Sequence, residues 1–215
     1  MDKQNLLREV SQSIASCRKC PLYKVATNPV PGNGNPEAEI LFIGEAPGFN
    51  EDQQGIPFCG AAGHLLDELL SSINLDRKKV FVANMLKHRP PQNRDPLPEE
   101  MEACKEYLDE QIKIISPKVI ISLGRFSMAK FFPFGKISVD HGKGRMVEYN
   151  GERYIFIPMF HPAAALRGAG VEQQLREDFK KIPAEIERLE KILDGVMDVK
   201  ETPMEQKKEE QLTLV

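Results

Sequence analysis

The chain has 215 residues, 41% of them hydrophobic, and a formal charge of -3. It can bury one sizeable core but has no room for two ordinary domains. No stretch approaches the roughly 18 uncharged apolar residues of a membrane helix, the start MDKQNLLREV lacks a secretory apolar block, and the mild acidity excludes a bulk polycation, so a cytoplasmic, membrane-free protein is expected.

Leu6, Leu7, Val10 and Ile14 recur at helical spacing and stop at the Cys17-x-x-Cys20-Pro21 turn, which predicts an opening amphipathic helix. In a reducing compartment the four cysteines, Cys17, Cys20, Cys59 and Cys104, read as metal ligands or core before disulfides. A polar loop rich in Pro and Gly follows. Then come four short apolar runs, AEILFIG from Ala38, KVFVANM from Lys79, KVIISLG from Lys118 and RYIFIPM from Arg153. They are rich in β-branched residues and too short for helices, so each is a buried strand.

Between the first three runs lie two helical patterns, Leu65, Leu66, Leu69, Leu70 and Ile73, then Met101, Cys104, Leu108, Ile112 and Ile115. Strands alternating with helices predict an α/β fold, a three-layer α/β/α sandwich around a central, mainly parallel four-stranded sheet. Gly142 to Gly151 reads as a turn or hairpin with Asn150-Gly151 at its tip. A last helix carries Leu175, Phe179, Ile182, Ile186, Leu189 and Ile192, with a bend expected near Pro183. The folded domain is therefore placed at 1–195. Residues 196–215 are charged and nearly devoid of apolar groups, which predicts a disordered tail.

In an open parallel sheet, ligands bind beyond the carboxyl ends of the strands. The first run ends in Gly44-Glu45-Ala46-Pro47-Gly48, the second at Asn84 and the fourth in Phe160-His161-Pro162, while Pro57-Phe58 precedes a helix start at Gly60 to Gly63. A carboxylate, an amide, an imidazole and an aromatic face are thus expected at one edge. Singly, each has a structural reading: a glycine turn, a capping Asn, a core Phe, a solvated Glu. Their joint placement is what points to a site.

The set Gly44-Glu-Ala-Pro-Gly48 with Glu51-Asp52, Gly55-x-Pro-Phe58, Ala62-Gly63, Asn84, Arg89-Pro-Pro-x-Asn-Arg-Asp95 and His161-Pro-Ala-x-x-Leu-Arg167 resembles the family-4 uracil-DNA glycosylases, in the family's order from about Cys17 to Arg167. The resemblance implies a repair enzyme with an iron–sulfur cluster, acting on uracil in single- and double-stranded DNA, and a monomer is expected. An enzyme acting on a base must extract it into a pocket and read its Watson–Crick edge. Phe58 is then expected to stack on uracil, Asn84 to read N3–H and O4, and amides around Glu45 and Ala46, with Gly48 nearby, to hold O2. His161 is expected to face the charge developing at O2, and Glu45 to face C1′ and orient water. The best-studied members of the wider superfamily carry an aspartate where this chain has Ala46. Glu51 and Asp52 are expected to close the pocket or position its loop. Leu166 and Arg167 are expected in the minor groove, with Arg89, Arg94, Lys143 and Arg145 as further backbone contacts.

The family holds its cluster with four cysteines. Here Cys17, Cys20 and Cys104 match, but the third position is His88. Three outcomes stay open: a [4Fe–4S] cluster with Cys₃His ligation, which the resemblance favours, a structural zinc ion that the same ligands suit equally well, or an empty site. Cys59 falls in the pocket segment and reads as core filler. A related branch crosslinks to DNA through a histidine in an inserted loop. Lys87 to Asp95 has the ordinary length, however, and His88 is in register with a cluster cysteine. The last residues, Gln211 to Val215, resemble the peptide by which bacterial repair proteins grip the sliding clamp, on a tether that raises local concentration. The rival readings are a glycosylase with another base preference and a non-catalytic damaged-DNA-binding module.

Overall fold

The computed structural model describes residues 2–193. The tail and its clamp-like peptide Gln211 to Val215 lie outside the described residues. In chain order the helices are α1 (Lys3–Ala15), α2 (Phe49–Gln54), α3 (Ala61–Ser72), α4 (Pro98–Ile115), α5 (Arg125–Phe131), α6 (Ile137–Asp140), α7 (Pro162–Ala165) and α8 (Ala169–Leu193). The strands are β1 (Asn33–Gly34), β2 (Ile40–Gly44), β3 (Phe81–Asn84), β4 (Val119–Leu123), β5 (Arg145–Tyr149) and β6 (Glu152–Met159).

The strands form one six-stranded sheet in the order β1-β3-β2-β4-β6-β5. The central four, β3, β2, β4 and β6, are parallel, as the apolar runs predict, and β1 and β5 add antiparallel edges. The four-stranded expectation is corrected to six. β1 is two residues long, and β5 pairs with β6 across the Asn150-Gly151 turn, both of whose residues have positive φ, as a tight hairpin requires. Pro183 lies inside an uninterrupted α8.

Side-chain alternation along the central strands feeds two cores. Phe42, Val82, Ile121 and Ile157 pack on one face with Leu66 and Leu69 of α3 and Leu175 and Phe179 of α8. Leu41, Ile43, Ala83, Ile120 and Phe156 pack on the other with Leu7 of α1, Leu108 and Ile112 of α4, and Met128 of α5. Among the described residues no helix is long and apolar enough to cross a membrane.

The helix ends follow local chemistry. The Asp2 side chain accepts the Asn5 N–H at 2.8 Å to start α1. Pro98 opens α4, and the Glu100 carboxylate accepts the Leu97 N–H at 2.9 Å. These details matter because α1 and α4 hold the cysteine region and α4 flanks the carboxyl edge of the sheet.

Candidate active site

The carboxyl ends of β2, β3 and β6 bring Glu45, Asn84 and His161 to one edge, and the loop before α3 adds Phe58. The Phe58 ring lies against the His161 imidazole with centroids 5.5 Å apart and planes 27° from parallel. Asn84 is 1% and Phe58 7% exposed, so the pocket is a closed slot in this state. Two open clefts, of about 560 Å³ beside His141 and Asp178 and about 360 Å³ beside Met101 and Phe126, contain none of these residues.

The slot exists because two glycines lack a Cβ. One at Gly44 would stand 2.3 Å from Asn84 Oδ1 and 2.7 Å from Phe58 Cζ; one at Gly63 would stand 1.7 Å from the Phe58 carbonyl oxygen. Phe58 itself has a φ of 52°, an unusual conformation for a ring-bearing residue. Glu51 stabilises that loop: its Oε1 accepts the N–H groups of Cys59 and Gly60 at 3.1 and 3.0 Å. Asp52, also buried, accepts the Thr27 N–H at 2.8 Å and so fastens the segment after the cysteine pair to α2.

Asn84 Oδ1 is buried with no hydrogen-bond partner among the described residues. Leaving a buried acceptor unpaired costs about 1–3 kcal/mol, so such an atom on a pocket wall is poised for a donor from a ligand. Burial draws the His161 imidazole down to about 4, and the Arg167 guanidinium pushes the same way. The ring is therefore neutral at pH 7. Its Nδ1 accepts the Ala163 N–H at 3.1 Å, which leaves the proton on Nε2 as a donor. Burial pushes the Glu45 carboxyl up to about 6, with Asp95 adding to the shift and Arg125 opposing it. Arg125, at the start of α5, is paired with Asp95. Ala46 and Gly48 flank Glu45 in the β2–α2 turn.

The expected DNA contacts divide. Leu166 is 50% exposed and Arg167 is exposed beside it. The Arg89 guanidinium lies 5.1 Å from the centroid of the exposed Phe49 ring, and its Nε donates to Asn93 Oδ1. The Arg94 guanidinium makes a two-pronged pair with the buried Glu100 at 2.9 and 2.6 Å. That pair anchors the start of α4. Arg145 is likewise engaged, with Asp140 at 2.8 Å and over the Phe132 ring.

Cys17, Cys20 and Cys104 are buried and unpaired. Burial pushes the Cys20 thiol up, and the Cys104 thiol to about 11, with the neighbouring cysteines adding to both shifts. The Lys87 main chain opposes that rise at Cys104, and His88 is the next residue along the chain. His88 is buried, and burial lowers its pKa with Asp52 opposing; the imidazole is in the neutral, ligating form. The donor chemistry fits a thiolate-rich metal site, although among the described residues no three such side chains are already closed around one point. Lys87, Gln111 and the Asp95–Arg125 pair were not singled out as site residues by sequence. A charged residue in an otherwise buried strand exit, Lys87, was the one available signal.

The model of the uracil DNA glycosylase superfamily matches residues 31–186. A type-4 uracil-DNA glycosylase of Sulfurisphaera tokodaii is 47% identical over 182 residues, 82% of this chain and 83% of that protein. One of Archaeoglobus fulgidus is 49% identical over 181 residues, 82% of this chain and 91% of the relative. One of Thermotoga maritima is 39% identical over 188 residues, 86% and 97% of the two chains.

Proposed function

The chain belongs to the uracil-DNA glycosylase superfamily and, within it, to the type-4 enzymes, and from that premise we propose how its own residues excise uracil. The enzyme is a uracil-DNA glycosylase that hydrolyses the N-glycosidic bond of uracil in DNA and leaves an abasic site for base-excision repair. The observation that carries the reading of its pocket is the orphaned, buried Asn84 Oδ1 beside the Phe58 ring.

Uracil turned out of the stack lays its face on Phe58 and presents N3–H to Asn84 Oδ1 and O4 to the Asn84 amide N–H. Cytosine presents the opposite polarity at those two atoms and leaves both amide groups unpaired, a loss large enough to discriminate. As the N1–C1′ bond breaks, its electron pair leaves with the base. The neutral His161 donates from Nε2 to O2, where negative charge gathers. Glu45, as carboxylate, faces the positive sugar and orients a water, whose oxygen bonds to C1′ and whose proton passes to Glu45. Main-chain groups at Ala46 and Gly48 line the O2 side, and Glu51 fixes the Phe58 loop. Leu166 fills the space left in the duplex, and Arg89 and Arg167 contact the backbone, with Arg94 acting chiefly through Glu100.

Cys17, Cys20, His88 and Cys104 would hold a [4Fe–4S] cluster, with His88 as the fourth ligand, and the same residues would hold zinc. When bound, the group would tie together the segment after α1, the loop after β3 and α4. The peptide Gln211 to Val215 serves as a sliding-clamp ligand. Deletion of those five residues abolishes clamp capture while leaving excision intact, and unchanged capture overturns that role.

The test of the central reading is uracil excision from a fluorescent single-stranded oligonucleotide, scored by alkali cleavage. Wild type cleaves, and His161→Ala and Asn84→Ala are abolished or strongly weakened. A metal-replete wild type that leaves uracil in place favours the non-catalytic binding module, and excision of another base in preference favours a glycosylase of different range.

A further inference from the structure

Between the base pocket and the cysteine region lies a lysine that the mechanism above does not use. Lys87 has no exposed surface, and its Nζ donates to the Asn84 main-chain oxygen at 2.8 Å, to Gln111 Oε1 at 2.8 Å and to the Pro31 oxygen at 3.4 Å. Its partners are two carbonyls and an amide. Gln111 is itself 1% exposed, and its Nε2 donates to the same Pro31 oxygen at 2.6 Å. The Lys87 main chain is also engaged: its oxygen accepts the Val30 N–H at 2.7 Å.

Burying a lysine head among neutral groups is costly, and an apolar chain of similar length fills the same space without that cost. The cost is offset only if the donors accomplish something that packing does not. Two of them converge on main-chain oxygens at opposite sides of the slot's support, the last residue of β3 and the loop before β1. The first of these is the residue whose side-chain oxygen is orphaned in the pocket. Fixing that carbonyl fixes the peptide plane beyond Asn84, and with it the direction in which the amide leaves the strand end. A lysine nitrogen carries at least two N–H groups whether or not it is charged, so both 2.8 Å contacts survive either protonation state.

We propose that Lys87 is a positioning residue for base recognition: its Nζ, itself held by Gln111 of α4, holds the Asn84 main chain so that the amide meets uracil's edge in one orientation. This rests on the reading of the pocket as a uracil site. The consequence is specific. Loss of Lys87 weakens the grip on the base, while the surfaces that hold the DNA backbone are untouched.

The experiment uses the full metal-replete chain as wild type, Lys87→Met and Gln111→Leu. Two quantities are measured: the inhibition constant of free uracil against excision, and the affinity for an oligonucleotide bearing a tetrahydrofuran abasic site, which offers backbone but no base. Melting curves and metal content accompany both. For Lys87→Met the uracil constant rises about tenfold, the worth of one charge-assisted hydrogen bond, and abasic-DNA affinity stays within about twofold. An unchanged uracil constant, or a parallel loss of both, overturns the proposal. Should Lys87→Met not fold, Gln111→Leu, which keeps the lysine but removes one acceptor, gives the same selective weakening at about threefold, and its absence counts equally against the idea. A wild type that does not excise uracil overturns the glycosylase reading and this proposal with it. An active wild type with unaltered variants overturns this proposal alone.

Discussion

The imidazole of His161 stacks on the ring of Phe58 at a centroid distance of 5.5 Å, while its Nδ1 takes the Ala163 N–H. The two groups expected to touch uracil therefore orient one another before the base arrives. Replacing the ring by Phe58→Leu keeps most of the buried volume but removes the stack, which is worth about 0.5–1.5 kcal/mol beyond area. Single-turnover excision should fall by up to about tenfold, with the melting temperature lowered by only about 2–4 °C. An unaltered rate would show that the stack has no part in the reaction.

Two titrations separate the catalytic roles. His161 stays neutral down to about pH 4, whereas Glu45 loses its proton near pH 6. Activity that needs a carboxylate at Glu45 should therefore fall by half near pH 6 on the acid side, with no contribution from the imidazole until far lower. Asp95 raises the Glu45 pKa and Arg125 lowers it. Asp95→Asn should thus move the limb to lower pH and Arg125→Gln to higher pH. A limb that ignores both substitutions belongs to another group.

The same shift carries a stability consequence of opposite sign. Glu45 binds its proton more tightly in the folded chain, at about 6, than in the unfolded chain, at about 4.5, so folding stability is lost as pH rises between those values. Because Glu45 is only partly buried and solvent screens it, the loss above pH 6 stays below about 2 kcal/mol. Glu45→Gln removes it, and the variant should melt above wild type at pH 7 and level with it below about pH 4.5, while excising uracil far more slowly. A variant that melts lower at pH 7 would place the carboxylate in a stabilising network.

The central sheet was legible because its four strands are buried on both faces and read as continuous apolar runs. The edges were not. Asn33–Gly34 is too short to carry a pattern, and Arg145–Tyr149 is only partly buried, so the Asn150-Gly151 turn was visible but the strand before it was not. Helices α2, α5, α6 and α7 span at most seven residues, less than two full turns, and no periodicity builds up over that length. In the pocket, strand-end placement exposed Glu45, Asn84 and His161 to sequence reasoning. The engagement of Arg94 by Glu100, the loop-holding role of Glu51 and the burial of Lys87 depend on which surfaces meet in three dimensions. No spacing rule reaches them.

Gly44 separates pocket shape from fold. A Cβ there would meet the Asn84 oxygen and the Phe58 ring edge, both side-chain atoms, whereas at Gly63 it would meet the Phe58 backbone. Gly44→Ala should fold with a modest drop in melting temperature and lose most uracil excision, because the two walls of the slot are pushed apart. Gly63→Ala should lose stability first, by more than about 2 kcal/mol, since a backbone collision cannot be relieved by a rotamer change. The pair is checked by melting curves beside excision rates, and similar losses of stability at both sites would contradict it.

His88 stands where the resemblance calls for a cysteine, next to Lys87, whose main chain favours the Cys104 thiolate. If it completes the metal site, His88→Cys exchanges a neutral imidazole for a thiolate and changes the group that is held without changing the fold. Iron, sulfide and zinc per chain, measured after anaerobic reconstitution, identify that group in wild type. With a cluster bound, the variant should show a lower reduction potential, because the added thiolate stabilises the oxidised state. His88→Ala should bind metal more weakly and lose it to a chelator sooner, with a lower melting temperature that metal removal reproduces in wild type. A wild type that takes up neither iron nor zinc removes all four ligand assignments together. Identical retention in wild type and His88→Ala removes His88 alone and leaves the three cysteines as the ligand set.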